Sequence, residues 1–192
     1  ISKFKKWNNL IGFITFLIAF ITYSLTVEPT ASYWDAAEYI STSAKLQVGH
    51  PPGAPFFQML GAFFASFASN PDQIAFMVNM MSVFASAFTI LFLFLTITII
   101  GKKIVLKNNS ISNSNAIIIL GSSLIGSLCF TFSDSFWFNA VEAEVYAMAT
   151  MIMALLFWLG FKWEENMDKN GGGRWLVLIS FVVGLSFGVH FM

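Results

Sequence analysis

Long apolar runs recur along this chain and restrict how it can fold. A helix that crosses the hydrocarbon core of a bilayer needs about 20 mostly apolar residues. Four runs meet that requirement, namely Trp7–Thr26, Gln73–Ile100, Asn115–Phe132 and Tyr146–Lys162. A fifth predicted span is Trp175–Met192. Only 10% of the residues are charged, against about 25% in soluble domains. The sequence therefore predicts an all-α, polytopic membrane helical bundle with about five spanning helices.

A sixth apolar run, Ala54–Ser69, is shorter, and its placement decides the topology. Lys and Arg favour the cytoplasmic flanks of spanning helices. If this run lies in the membrane interface, only Lys45 of the ten cationic residues falls outside. If the run spans the membrane instead, the lysine cluster at 102–107 falls outside, and the cationic residues no longer gather on the cytoplasmic side. The charge pattern favours interfacial helices in the first outer loop, with these residues inside: Lys3, Lys5, Lys6, Lys102, Lys103, Lys107, Lys162, Lys169 and Arg174.

The same topology collects seven of the ten acidic residues and both histidines at the outer face. The first outer loop, Val27–Gln73, is long and aromatic, and the second, Ser133–Val145, is short. The inner connections are polar and rich in Asn, Ser and Gly, as linkers are. The residues that could carry chemistry thus lie on one side, where the acids are Glu28, Asp35, Glu38, Asp72, Asp134, Glu142 and Glu144.

The segment SYWDAAEY opens the first outer loop with two acids. Asp35 and Glu38 are three residues apart, so a helix would place both carboxylates on one face, with Thr42 a turn beyond. A carboxylate near lipid is costly and indicates a functional site. The alternative is structural, because Ser32-x-x-Asp35 also fits a capping box that would make Asp35 a helix-start acid.

The segment VGHPPGAP follows in the same loop. Each proline restricts the residue before it to extended backbone, so the segment redirects the chain and fixes the direction of the His50 ring. The alternative is a rigid elbow with an incidental histidine. His190 lies at the outer end of the last helix in this topology, where a lone histidine is more often a packing residue than a ligand.

The segment SDSFWFNAVEAEVYA forms the second outer element. A helix that starts near Phe136 would carry Asn139, Glu142 and Tyr146 on one stripe, while Glu144 points elsewhere. The alternative is an amphipathic interfacial turn with solvated acids.

Three segments resemble a known family: PTASYWDAAEYISTSAKLQVGHPPGAPFFQMLG, FWFNAVEAEVYAM and GLSFGVH. They are similar to the GT-C glycosyltransferases, and more closely to the protein O-mannosyltransferase-like membrane family. The resemblance covers roughly residues 10–192. It implies that residues 1–192 are the N-terminal part of a GT-C-like transmembrane domain of a longer protein.

The resemblance also implies roles for particular residues. Related enzymes place their catalytic acid in the first outer loop, which corresponds here to Asp35 with Glu38 beside it. The acids of the next outer loop correspond to Glu142 and Glu144. As the one cation of the outer face, Lys45 is a candidate partner for a lipid phosphate. The full set of substrate-binding candidates is Trp34, Tyr39, Lys45, His50, Asn139, Glu142, Glu144 and His190.

The expected function is transfer of a mannose-like sugar from a lipid-linked donor to Ser or Thr hydroxyls of a protein acceptor, at the outer face. Membrane lipid is the expected surrounding, and no basic surface indicates nucleic acid. A divalent metal stays open, because some GT-C enzymes bind one through acids and a histidine and others bind none. Two alternatives from other classes are an ion- or proton-coupled transporter subunit and a non-catalytic membrane-complex scaffold.

Overall fold

A computed structural model describes residues 2–51, 53–106 and 111–190. Within those ranges the chain forms eight α-helices, a short 3₁₀ turn at Pro71–Gln73 and no β-strand. The helices are α1 (Ser2–Thr26), α2 (Ala36–Lys45), α3 (Pro55–Ala65), α4 (Ile74–Val105), α5 (Asn113–Thr131), α6 (Asp134–Ala140), α7 (Val145–Glu164) and α8 (Gly173–Ser186).

Four of the helices are long and apolar enough to cross a membrane, namely α1, α4, α5 and α7. They coincide within a few residues with the four runs identified in the sequence, so the all-α, polytopic character of the bundle is confirmed. The fifth predicted span corresponds to α8, which has 14 residues and ends at Ser186. A helix of that length covers about 21 Å, less than the ~30 Å hydrocarbon core. The end of the predicted span, residues 191 and 192, lies outside the described residues.

The helix α4 is the centre of the bundle and packs against α1, α5 and α7. Close approach to α1 depends on Gly12, where a Cβ atom would lie 3.1 Å from the Phe94 ring. Small residues at such contacts are typical of membrane helices, because they let two backbones come together. A buried hydrogen bond from Thr98 Oγ1 to Ser123 Oγ (3.1 Å) joins α4 to α5.

Polar contacts bring both acidic loops to the same end of this bundle. The Asn79 Nδ2 group, at the start of α4, donates to the backbone oxygens of Glu28 (2.7 Å) and Thr30 (2.9 Å). The backbone N–H of Glu28 in turn donates to the Val141 carbonyl (3.0 Å). The first and second outer loops are therefore in direct contact, as a common face requires.

The opposite end of the bundle carries cations and the remaining acids. Lys103 pairs with Glu164, and Lys102 Nζ lies 3.7 Å from Glu165 Oε1. Lys162 Nζ lies 2.8 Å from the other oxygen of Glu165. Lys107, which the sequence places in the same basic group, is outside the described residues. The charges are thus sorted between the two ends as the sequence predicts.

The short helices α2 and α3 pack on each other beside α4 at the acidic end. The helix α3 has 11 residues, so it covers only about 16 Å and is too short to cross the bilayer. The backbone N–H of Phe56 donates to the Gly188 carbonyl (2.7 Å), which fixes α3 against the end of α8. This short length agrees with the interfacial placement predicted for Ala54–Ser69.

Candidate functional site

Two acids and one histidine of the first outer loop meet at the acidic end of the bundle. Asp35 is the residue before α2, and Glu38 lies in its first turn. Glu38 Oε1 accepts the backbone N–H of His50 at 2.6 Å, and Glu38 Oε2 lies 3.1 Å from His50 Nδ1. The other ring nitrogen, Nε2, lies 3.8 Å from Asp35 Oδ2. These hydrogen bonds from His50 lower the pKa of Glu38.

The turn that carries His50 can approach Glu38 so closely because Gly49 has no side chain. A Cβ atom on Gly49 would lie 2.8 Å from Gln58 Nε2 and 3.2 Å from Glu38 Oε1. The turn then closes through the left-handed conformations of Gly53 (φ 88°) and Ala54 (φ 36°), after which Pro55 begins α3. The chain changes direction in this segment, and the contacts with Glu38 hold the His50 ring. Pro52 lies outside the described residues, and a functional role of His50 stays a prediction.

The capping box weighed for Asp35 does not form. Asp35 precedes α2, but its side chain makes no capping hydrogen bond. Ser32, the other half of that motif, instead donates its hydroxyl to Glu142 Oε2 at 2.6 Å. The backbone N–H of Asp35, which the Ser32 oxygen would accept in a capping box, instead hydrogen-bonds the Glu144 carboxylate.

The predicted stripe of Asn139, Glu142 and Tyr146 on one helix is wrong. The helix α6 ends at Ala140 and α7 begins at Val145, so Glu142 lies in the break between them. The break occurs because the Val141 carbonyl accepts the backbone N–H of Glu28 rather than continuing a helix. Asn139 is held within α6 by a bond from Nδ2 to the Ser135 carbonyl.

The segment between α6 and α7 buries two carboxyl groups. The sequence analysis expected these acids either to point in different directions from one helix or to be solvated. Glu142 is 4% exposed and Glu144 is 5% exposed. Burial raises the pKa of Glu142, partly offset by the Ser32 hydrogen bond. Burial, with the nearby charges of Asp35 and Glu142, raises the pKa of Glu144 to about 7, although the backbone N–H groups of Asp35 and Val145 oppose the shift.

Tyr39 lies between the two loops and connects their acidic groups. Its side chain is 6% exposed, and its ring centroid lies 5.7 Å from that of His50. Burial raises the pKa of Tyr39 to about 12, and the carboxylates of Glu144, Asp35 and Glu38 add to the shift. The candidate acids of both loops therefore surround one buried phenol.

Three other predicted site residues, Lys45, His190 and Trp34, are not among the groups that contact His50 or Glu38 in the bonds described above. Lys45 is at the opposite end of the ten-residue α2, roughly 15 Å from Asp35 along the helix axis. The structure thus does not bring this cation to the acids. His190 packs on Tyr146, with ring centroids 5.6 Å apart. Trp34 directly precedes Asp35 but is 85% exposed, with an unusual positive φ of 61°.

One group of possible metal ligands occurs in the part of the chain that the structure describes, and it is Asp35, Glu38 and His50. One ligand atom from each of them lies within 4.8 Å of the other two. The carboxylate and imidazole donors suit Zn²⁺ and Mn²⁺ among common ions. Asp35 and His50 are also open to solvent, with side chains 56% and 39% exposed.

Comparison with known proteins decides which family this arrangement represents. The model of the family described as "Protein O-mannosyl-transferase TMEM260 N-terminal domain" matches residues 35–192. This chain belongs to that family. The TMEM260 N-terminal domain region includes every predicted site residue except Trp34.

Two curated relatives carry the same family name. A Dictyostelium discoideum protein named protein O-mannosyl-transferase tmem260 is 30% identical over 148 residues, which is 77% of this chain and 16% of the relative. The mouse protein O-mannosyl-transferase TMEM260 is 26% identical over 164 residues, 85% of this chain and 21% of the relative. The chain therefore spans about a fifth or less of the relatives' length. No solved structure matches.

Three polar residues of this TMEM260-family site have roles that the sequence did not predict. Ser32 bonds Glu142, Asn79 holds the backbone of the first loop, and Gln58 lies 5% exposed beside Gly49. A signal existed for Asn79 and Gln58, because each is a lone amide within an otherwise apolar helix. The role of Ser32 depends on a contact across 110 residues and has no local signal.

Proposed function

We propose that this chain is the donor-side part of a glycosyltransferase that moves a mannosyl group from a lipid-linked donor to Ser or Thr hydroxyls of proteins. The observation that carries the proposal is the exposed carboxylate of Asp35 within an acidic cluster at one end of a membrane-spanning bundle. Membership of the TMEM260 family supports it, since the relatives are named protein O-mannosyl-transferases.

The proposed chemistry needs one proton acceptor and one stabilised leaving group. The acceptor hydroxyl oxygen attacks the anomeric carbon while the bond from that carbon to the lipid phosphate breaks. The bonding electrons leave on the phosphate oxygen, and the Asp35 carboxylate takes the hydroxyl proton. Glu38 holds His50 in place beside Asp35, and Glu142 and Glu144 position the second outer loop.

We also propose that the acidic end faces the outside of the cytoplasm. The support is the separation of charges, because Lys102, Lys103 and Lys162 gather at the opposite end of the bundle. Cytoplasmic loops carry the excess of Lys and Arg in membrane proteins. A lipid-linked donor would then reach the cluster from the adjacent outer leaflet.

Asp35→Asn in the full-length protein tests the proposal. Because the Asp35 side chain makes no capping bond, the variant should fold and insert normally. General-base contributions are ~100- to 10,000-fold, so we expect transfer from a radiolabelled dolichol-phosphate-mannose donor to drop by at least ~100-fold.

Asp72→Asn is the matched control, since Asp72 is an exposed acid outside the cluster, and it should retain full transfer. A drop of less than about ten-fold in Asp35→Asn would remove Asp35 as the base. Full transfer in both Asp35→Asn and Glu38→Gln would refute the proposed site. The transporter alternative receives no support from the geometry, because the clustered acids lie at the bundle end rather than within a span.

A further inference from the structure

A groove lies between the first three turns of α1 and of α5, whereas the acidic loops follow the last residues of these helices. Its volume is about 660 Å³, within the ~300–1,000 Å³ of ligand sites in proteins. Lys3, Ser112 and Asn113 line one end, the mouth of the groove. The rest of the α1–α5 groove is apolar, with a lining that includes Phe4, Trp7, Ile11, Leu120 and Leu124.

The depth of the α1–α5 groove matches one leaflet of a membrane. The lining runs from Lys3 to Ile11 on α1 and from Asn113 to Leu124 on α5, which is roughly 12 to 17 Å along the two helices. Half of the ~30 Å hydrocarbon core is about 15 Å. Trp7, near the mouth, is 48% exposed, and tryptophan favours the headgroup level of a bilayer.

The groove does not continue through the opposite leaflet. Its lining stops about halfway along both helices. Beyond that level, the Tyr23 hydroxyl donates to the Thr131 carbonyl at 2.8 Å and joins α1 to α5. The opening is therefore confined to the half of the bundle that lies at the cationic end.

The positive charge at the mouth is not neutralised by the described part of the protein. Lys3, Lys5 and Lys6 are exposed, and none of them forms an ion pair with an acid in the described ranges. The lysines of α4 and α7 at the same end differ, because Glu164 and Glu165 pair with them. No acidic side chain among the described residues lines the groove.

These features specify the chemistry of an occupant. It must be apolar over about the thickness of one leaflet and must carry negative charge at the end that meets Lys3. A phospholipid with an anionic headgroup has this form. Basic pockets between spanning helices on the cytoplasmic side bind lipid headgroups, and the cytoplasmic leaflet is the one that carries anionic lipid. In the proposed orientation, the mouth of the groove faces that leaflet.

We propose that the α1–α5 groove binds one anionic phospholipid, with its headgroup phosphate at Lys3 and an acyl chain between Ile11 and Leu124. The bound lipid fills the gap between the two helices and so fixes α1, whose last residue, Thr26, leads into the first outer loop. The site shares no residue with the acidic cluster, and the proposal does not depend on sugar transfer.

Photolabelling of the full-length protein in phosphatidylcholine vesicles tests the site. The vesicles contain a minor fraction of phosphatidylserine that carries a diazirine at the end of one acyl chain, and a phosphatidylcholine probe with the same chain is the headgroup control. Mass spectrometry of the peptides locates the attached lipid. We expect label near Ile11 and Leu124, and at least about five-fold more with the serine probe, since one lysine strengthens contact with anionic lipid by roughly that factor.

A pair of lysine variants separates a specific site from general attraction to the membrane. Lys3→Gln and Lys169→Gln each remove one cation from the same end of the bundle, and Lys169 is exposed in the connection between α7 and α8. Lys3→Gln should lower the ratio of serine to choline labelling about five-fold. Lys169→Gln should keep the wild-type ratio.

A pair of glycine variants tests the position of the acyl chain. Gly121 lines the groove, and a Cβ atom there meets no atom within 4 Å. Gly121→Leu therefore fills the groove without a clash and should reduce labelling by both probes several-fold. Gly184→Leu changes an equally open position in α8 and should be labelled like the wild type.

The proposal is overturned if neither probe labels the groove in the wild-type protein, since another part of the protein would then cover it. It is equally overturned if the two probes label the groove equally, if both lysine variants give the same ratio, or if folded Gly121→Leu keeps full labelling. The lysine pair decides the question even where Gly121→Leu fails to fold, because both lysines are exposed and neither is part of the packed interior.

Discussion

The hydrogen bond from Ser32 to Glu142 should be one of the main contacts that hold the two outer loops together. The Oγ–Oε2 distance is 2.6 Å, and Glu142 is 4% exposed. Ser32→Ala removes the donor and leaves a buried carboxylate oxygen without this partner. Hydrogen bonds to charged groups contribute about 1.5–3 kcal/mol. We expect Ser32→Ala to lower the free energy of opening of the first outer loop by that amount.

Hydrogen–deuterium exchange of the full-length protein in detergent measures this local opening. A loss of 1.5–3 kcal/mol corresponds to exchange about 10- to 150-fold faster in the loop. Ser135→Ala is the control, because Ser135 is an exposed serine at the same end of the bundle, and its exchange should stay at the wild-type rate. Exchange in Ser32→Ala that rises less than about two-fold would refute a stabilising role for the contact.

A double-mutant cycle then isolates the pair. In Glu142→Gln the neutral amide still accepts the Ser32 hydroxyl, but a neutral hydrogen bond contributes only about 1 kcal/mol. Ser32→Ala should therefore cost less in the Glu142→Gln background than in the wild type. Equal costs in both backgrounds would mean that the charge of Glu142 adds nothing to this hydrogen bond.

The pH dependence of the same hydrogen–deuterium exchange is a second, independent measure of how Glu142 stabilises the closed loop. Burial raises the pKa of Glu142 above its ordinary value of 4.5, while the Ser32 hydrogen bond opposes the shift and Glu28 adds to it. Glu144 is the other acid that interacts with Glu142. A raised pKa means that the closed loop binds the proton more tightly than the open loop. This stabilisation is full below about 4.5 and is lost as the pH rises through the raised pKa. Glu142→Gln should remove that part of the pH dependence.

Two further predictions concern the turn before His50 and the orientation of the bundle. Gly49→Ala should push the turn away from Gln58 and Glu38, because the new Cβ would lie 2.8 Å from Gln58 Nε2 and 3.2 Å from Glu38 Oε1. We expect chemical unfolding in detergent to show a free energy of unfolding lower by ~1–3 kcal/mol, whereas Gly184→Ala, whose Cβ meets nothing within 4 Å, should not lower it. In a Cys129→Ala background, the exposed position Ser135→Cys should react with an impermeant maleimide from outside the membrane and Asn170→Cys should not. The reverse labelling pattern would invert the proposed topology.

The spanning helices could be predicted because their length and apolarity are local properties. The shared face of Asp35 and Glu38 was predictable for the same reason, since helical spacing fixes it. Helical spacing does not predict His50, which reaches Glu38 through a turn that Gly49 and Gly53 allow. The sequence indicates a functional histidine there but not the 3.8 Å gap to Asp35.

The second outer loop was misread because its local sequence favours a helix. The residues NAVEAEVYA contain good helix formers and no Gly or Pro, so propensity alone continues α6 into α7. Hydrogen bonds from a distant part of the chain interrupt the helix. The backbone N–H of Glu28 donates to the Val141 carbonyl, and the Ser32 hydroxyl donates to the Glu142 carboxylate. Tertiary contacts of this kind override propensity and leave no periodic signal.

The contact between Ser32 and Glu142 also sets an order of events during biosynthesis. The two residues are 110 positions apart, and ribosomes add about 5–20 residues each second. The first outer loop therefore waits roughly 5 to 20 seconds after its own synthesis before its partner is made. During that interval Asp35 and Glu38 have been synthesised after α1, while Glu142 is still absent. The two-loop cluster can form only after α4 and α5 have inserted and the start of α7 has emerged.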